Sequence, residues 1–194
     1  MSAQGVAQLP VDLQDGRTFR PSVVPAPIDG ASTADVLGRL GARWSRLDNI
    51  PFGATVEIGH VLLATAGVFV VETACTTTEW TLSSPELLHA VSETRWRARK
   101  VASLLHRIGR PCVTPMLVVS GPGAPPIAGG SQTVDGVLVC RGDDVARWSA
   151  YLDELAPTIE SVCIGEMIDV LLDHTLRTDE INCVPARRHV TPSA

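Results

Sequence analysis

Cationic side chains crowd one short stretch of this sequence: Arg95, Arg97, Arg99 and Lys100, then Arg107 and Arg110, with Trp96 set among the first four. Cations that neutralise phosphates, beside a ring on which a base can stack, are the makings of a nucleic-acid contact. Arg95, Trp96, Arg97, Arg99 and Lys100 are therefore the candidate nucleic-acid-binding residues. The plainer reading is an arginine-rich solvated helix face with Trp96 packed under the lead-in segment, and it is preferred because charge runs usually lie in water. Cys75 with His60 would make a thiol nucleophile and its base. No third group that would orient the histidine is evident, and an unpaired cysteine is commonly an inert buried residue. The glycine-rich run from Gly121 to Gly130 lacks the glycine-lysine-serine/threonine ending with which a phosphate loop holds nucleotide, so it reads as a surface loop and no nucleotide cofactor is expected. Pro185 to His189 is too short to define a nucleic-acid patch by itself.

The elements that must position these residues follow from periodicity. Residues 1–30, with Pro10, Pro21, Pro25, Pro27 and Gly30, read as an extended or disordered lead-in. A domain is expected over 31–182 and a flexible tail over 183–194. Ser32 or Thr33 can cap a short helix bearing Val36, Leu37 and Leu40 on one face and ended by Gly41. A strand is expected around Arg43 to Leu47, then a turn through Asp48-Asn49 and Pro51-Phe52-Gly53. Val56 to Ala64 and Gly67 to Thr73 read as two apolar strands joined tightly at Thr65-Ala66. Pro85 behind Ser84 opens a long helix to Arg107, with Leu87, Val91, Ala98, Val101, Ala102 and Leu105 on one stripe. Val113 to Val119 and Val134 to Cys140 read as buried strands. A short helix is expected from Asp143, and a longer one from Pro157 with Ile159, Val162, Cys163, Met167, Val170 and Leu171 on its apolar side. The order predicts an α/β fold, a mixed central sheet covered by helices on both faces.

Within this frame, Glu57-Ile58-Gly59-His60-Val61-Leu62-Leu63 and then Gly67-Val68-Phe69-Val70-Val71-Glu72-Thr73-Ala74 resemble the central hairpin of the nuclease-related (NERD) family of the PD-(D/E)xK nuclease superfamily. That pattern reads roughly E-I-D-H-V-x-V-G-P-x-G-V-F-V-V-E-T-K. The resemblance runs on through Ala98-Arg99-Lys100-Val101, Pro115 to Val119 and Val134 to Val139, about residues 32–150 in all. It implies a restriction-endonuclease-like core in which an aspartate and a glutamate hold Mg²⁺ and a lysine positions water and supports developing charge. Gly59 stands where the family has aspartate and Ala74 where it has lysine, so Glu72 is the one catalytic remnant. Residues two apart on a strand point the same way, so Glu72 and Ala74 are expected to project together, and Glu57 is expected on the side of Gly59. Glu57 as a migrated ligand and Lys100, the only lysine, as a migrated cation complete the catalytic candidates; Glu72 and Glu57 would be metal ligands only if the site is active. The solvated reading is preferred for both migrated groups. Loss of one electrostatic group costs on the order of 10²- to 10³-fold in rate, so two losses imply a nuclease-like scaffold without ordinary activity.

Composition narrows the partners. A formal net charge of −5 gives no global attraction to nucleic acid, so any DNA contact must be local, and a protein partner without DNA contact is an alternative. The longest apolar run, Val61 to Val71, is broken by Thr65 and Gly67 and falls short of the roughly 20 residues a membrane-spanning helix needs. Met1 to Pro10 has neither a basic start nor a continuous apolar stretch, so no secretory signal is read and a cytoplasmic protein is expected. Five cysteines, odd in number and without a C-x-x-C pair, point to neither a disulfide framework nor a zinc site. No cofactor is expected, save Mg²⁺ if the divergent-nuclease alternative holds.

Overall fold

A computed structural model describes residues 42–52 and 56–182, together with Thr33, Leu37 and Leu40. The expected lead-in over 1–30 and tail over 183–194, and most of the expected helix from Ser32, lie outside the described residues. In order come β1 (Ser45–Phe52), β2 (Val56–Ala64), β3 (Gly67–Cys75), α1 (Pro85–Leu105), β4 (Val113–Ser120), a 3₁₀ turn (Ala128–Gly130), β5 (Ser131–Val134), β6 (Val137–Arg141), α2 (Val145–Glu154) and α3 (Ser161–Asn182). The described residues build a six-stranded mixed sheet in the order β1-β2-β3-β4-β6-β5. β1, β2 and β3 pair antiparallel, β3, β4 and β6 run parallel, and β5 closes the far edge antiparallel to β6. The α/β architecture is the one the periodicity predicts. Among the described residues, no helix is long and apolar enough to cross a membrane.

Alternation along the strands divides the core. Val68 and Val70 of β3 pack with Val61, Leu63, Ala98, Val101, Leu105, Met167 and Leu171, so α1 and α3 share one face of the sheet. Phe69 and Val71 pack with Leu62, Met116, Val118, Trp148 and Leu152, which puts α2 on the other face. A third cluster, Leu87, Val91, Leu117, Val119, Val137 and Val139, lies under the first half of α1. The hairpin joins as expected, with Ala64 opposite Gly67. On α1 the buried stripe is Leu87, Val91, Thr94, Ala98, Val101 and Leu105. Thr94 can lie there because its hydroxyl donates to the Ala90 carbonyl at 2.8 Å.

Three boundaries differ from expectation, each for a local reason. β1 continues through the predicted turn at Asp48–Phe52: Asn49 adopts φ 55°, and the ladder lapses at Asn49 and Gly59 and resumes in the same register at Ile50↔Ile58. The kink changes which side chains face inward. Leu47 and Ile50 enter one cluster although three apart, as do Val61 and Ile58. Ile58 rather than Glu57 thus follows Val61 inward, and Glu57 is exposed. The stretch Val134 to Cys140 is two strands instead of one, because Asp135 (φ 46°) and Gly136 (φ 77°) form a two-residue turn with both central residues in the left-handed region. Finally, α3 begins at Ser161, and Val162 is 66% exposed. Val162 is nine residues from buried Leu171, two and a half helical turns, which places it on the opposite side.

The glycine-rich loop is more tightly built than a free surface loop. A Cβ on Gly123 would lie 2.0 Å from the Thr78 carbonyl oxygen, and one on Gly121 2.3 Å from that of Thr76. Hydrogen bonds from Thr76 N–H to the Ser120 carbonyl (2.9 Å) and from Trp80 N–H to the Gly123 carbonyl (2.8 Å) bind the loops after β3 and β4 into one layer. These glycines admit backbone against backbone, which is a packing role.

Candidate functional site

Glu72 is the only charged residue of β3. Val68 and Val70 before it and Ala74 after it enter apolar clusters beneath the helices, so strand alternation carries Glu72 onto the same face, under α1. Its side chain is 13% exposed. One carboxylate oxygen accepts the Gly59 N–H at 3.1 Å, just where the β2–β3 ladder ends. The other lies 3.5 Å from Arg97 Nη1, which is also 3.7 Å from Glu93 Oε2. Both separations exceed the ~2.8 Å of a charge-assisted hydrogen bond, so the guanidinium is held between two carboxylates by charge more than by directed bonding. Arg97 Nε is buried with no hydrogen-bond partner among the described residues.

The electrostatics follow from this placement. Burial pushes the Glu72 carboxyl up to about 7; Arg97 and the Gly59 amide pull it back, while the charges of Glu93 and Glu57 add to the rise. A carboxyl that titrates near neutrality suits acid–base chemistry in principle. Here it faces an internal arginine, and a cation coming to Glu72 would have to displace that guanidinium. Among the described residues, no group of three or more His, Cys, Asp and Glu side chains is disposed to hold a metal ion.

The sequence-derived candidates fall apart into separate places. A Cβ on Gly59 would stand 3.4 Å from the Val71 carbonyl oxygen and 3.6 Å from Glu72 Oε2, ordinary contacts, so a side chain at this position would project at the Glu72 carboxylate. Ala74 shares the face of Glu72 and packs with Trp80, Leu82, Leu87 and Val91. Glu57 is exposed and reaches Glu72 through the field of its charge. Lys100 is exposed, its Nζ 5.0 Å from the centroid of the Trp96 ring.

The basic stretch of α1 likewise divides. Arg97, expected on the solvated face, turns inward, because it flanks the buried stripe next to Ala98 with Glu72 beneath it. Arg95 Nη1 donates to the Asp135 carbonyl at 3.3 Å, on the β5–β6 turn. Trp96 is 40% exposed, and Arg99 and Lys100 are exposed with it. Glu93 was not among the sequence-derived candidates, although its i,i+4 spacing to Arg97 was visible. Its signal was hidden by reading the arginines as one charge run.

Of the remaining candidates, His60 Nδ1 lies 2.7 Å from Asp48 Oδ1 across the β1–β2 ladder, and Arg46 pairs with the other oxygen of Asp48 at 3.1 Å. Cys75 does not join them: His60 is opposite Val71, and Cys75 lies four residues further along β3, about 13 Å of strand. Burial pushes the Cys140 thiol up to about 12, which leaves it without nucleophilic character. At the end of β6, Arg141 grips Asp143 with two nitrogens and holds that carboxyl below its usual range, a latch on the loop before α2. No known protein family, curated protein or solved structure matches this chain.

Proposed function

We propose that this chain is a nuclease-related domain of the NERD type that has lost catalysis and acts as a binding module for nucleic acid or another protein, in the cytoplasm and without a nucleotide cofactor. The observation that carries the reading is the juxtaposition on β2 and β3. Position 59, whose side chain would meet Glu72 Oε2 at 3.6 Å, bears none, and the surviving carboxylate is tied to Arg97 instead. On the family pattern this is where a second carboxylate would share a cation with Glu72, and glycine supplies no ligand. Ala74, on the same face, supplies no cation. Each absence removes charge stabilisation that phosphodiester cleavage needs. The binding surface in this reading is the outward side of α1, where Trp96, Arg99 and Lys100 lie together.

A divergent Mg²⁺-dependent endonuclease using Glu57, Glu72 and Lys100 is the alternative. The influence of the Glu57 charge on Glu72 favours it; the position of Lys100 over Trp96 weighs against it. Cleavage of single- and double-stranded DNA in Mg²⁺ or Mn²⁺ separates the two. The purified chain is expected to leave both substrates intact, and cleavage that disappears in Glu72→Ala would promote the alternative.

A further inference from the structure

α1 and α3 lie on one face of the sheet, and their outward sides are opposite in character. On α1 the side turned from the buried stripe presents Trp96 with Arg99 and Lys100, all exposed, and exposed Arg107 follows in the turn after the helix. On α3 the outward side carries Val162, Leu172 and Leu176, the last 65% exposed, with exposed Glu166, Asp169 and Asp173 among them; exposed Arg177 pairs with Asp173 at 2.8 Å, so the face keeps a net negative charge through Glu166 and Asp169. Val162, Gly165, Asp169, Leu172 and Leu176 recur at alternating steps of three and four residues, so the exposed aliphatic side chains share one face of α3 with an acidic one. Large aliphatic side chains set in an acidic ridge are not needed for this chain's own core, since Met167 and Leu171 already face the sheet. The acidic ridge would repel a copy of itself and attract a basic one.

We propose that this face is the contact between two copies of the chain, related by a two-fold axis between the ridges, with α1 of each copy on α3 of the other. A two-fold contact is self-complementary: whatever lies on one side of the axis meets what lies on the other. A basic ridge beside an acidic one satisfies that rule in both halves at once. Trp96 supplies the aromatic anchor and Leu172 and Leu176 the aliphatic surface it meets, while the charges set partner choice and orientation. The contact takes the outward side of α1 for a second copy, so it rests on the protein-binding form of the proposed function, while Glu72 lies beneath α1 beside the buried stripe.

Sedimentation velocity of the full chain tests it. The chain is expected to dimerise with rising concentration, and less readily in high salt. Arg99→Glu with Lys100→Glu, and separately Asp169→Lys with Asp173→Lys, should each weaken self-association on the order of 100-fold by placing like charges opposite one another. An equimolar mixture of the two variants should dimerise again, because every reversed ridge then faces one of opposite sign. Leu176→Asp, at an exposed position, should give a monomer whose thermal midpoint equals that of the unaltered chain at concentrations where that chain is itself monomeric. A chain that stays monomeric at its highest soluble concentration overturns the proposal, as does failure of the two reversed variants to rescue one another. Monomeric behaviour together with DNA binding that Arg99→Glu with Lys100→Glu abolishes would assign the α1 face to nucleic acid instead.

Discussion

Glu72 binds its proton more tightly in the folded chain, where its carboxyl is pushed up to about 7, than in the unfolded chain, where it behaves ordinarily near 4.5. Stability from this group is therefore fully present below pH 4.5 and is lost as pH rises through about 7, to a total of about 3 kcal/mol. Chemical denaturation from pH 4.5 to 8 should show this decline, and Glu72→Gln, which cannot ionise, should flatten it. Arg97→Ala removes the largest influence that favours the carboxylate, so its cost should be greater at pH 8 than at pH 5, where Glu72 can take up a proton. Equal costs at the two pH values would show that Arg97 acts through packing alone. Gly59→Asp with Ala74→Lys is the smallest edit that could bring back DNA cleavage under the proposed function. The space at Gly59 accepts a Cβ in ordinary contact, but the lysine must leave an apolar cluster, and Arg97 would still compete with a metal for Glu72. Each single change should leave the chain inactive in a Mn²⁺-dependent cleavage assay, because groups that act as a unit are not additive.

Among the elements, the loops at the ends of β3 and β4 are held by close backbone approach, whereas the β5–β6 turn is held by backbone conformation. This difference predicts two magnitudes. Gly123→Ala would push a methyl into the Thr78 carbonyl at 2.0 Å, and because the obstacle is backbone the layer must move. It should cost more than the roughly 1–3 kcal/mol of ordinary overpacking, read as a lowered thermal midpoint. Gly136→Ala meets nothing within 4 Å, and only its φ of 77° resists, so about 1–2 kcal/mol is expected. Thermal melts of the two variants side by side check the order; a Gly136 variant as damaged as the Gly123 variant would refute it. The kink at Asn49 and Gly59 belongs to this scale too. It lets Ile50 and Ile58 join the core while the Gly59 amide stays available to Glu72.

For the molecule as a whole, the two sides of the sheet differ in character. α2 covers one face with Trp148 and Leu152, while α1 and α3 cover the other and leave a basic ridge and an acidic, aliphatic ridge outward. If the proposed two-fold contact forms, the net charge of −5 sets its salt response: two acidic copies repel at long range and attract where the ridges meet. Moderate salt should then speed association by screening the long-range repulsion, while higher salt weakens the dimer through the ridges. Stopped-flow association rates across ionic strength measure the first effect, and sedimentation measures the second.

The amino-acid sequence determined the elements whose periodicity repeats over several turns or alternations: the β2–β3 hairpin, α1 with its buried stripe, β4, and with them the α/β class. It also placed Glu72 and Ala74 on one strand face, because alternation is a local property. What depends on a single residue's backbone or on a neighbour distant in sequence was decided by tertiary structure. The Asp135-Gly136 turn was written in the sequence as a turn pair, yet flanking β-branched residues masked it. The inward turn of Arg97 was not written there at all. On a helix wheel it flanks the stripe, and only the buried carboxylate 25 residues earlier, brought beneath α1 by the β3–α1 packing, makes the inside a better place than water for its charge. The exposure of Val162, Leu172 and Leu176 was settled the same way, by which of its two apolar sides α3 turned to the sheet.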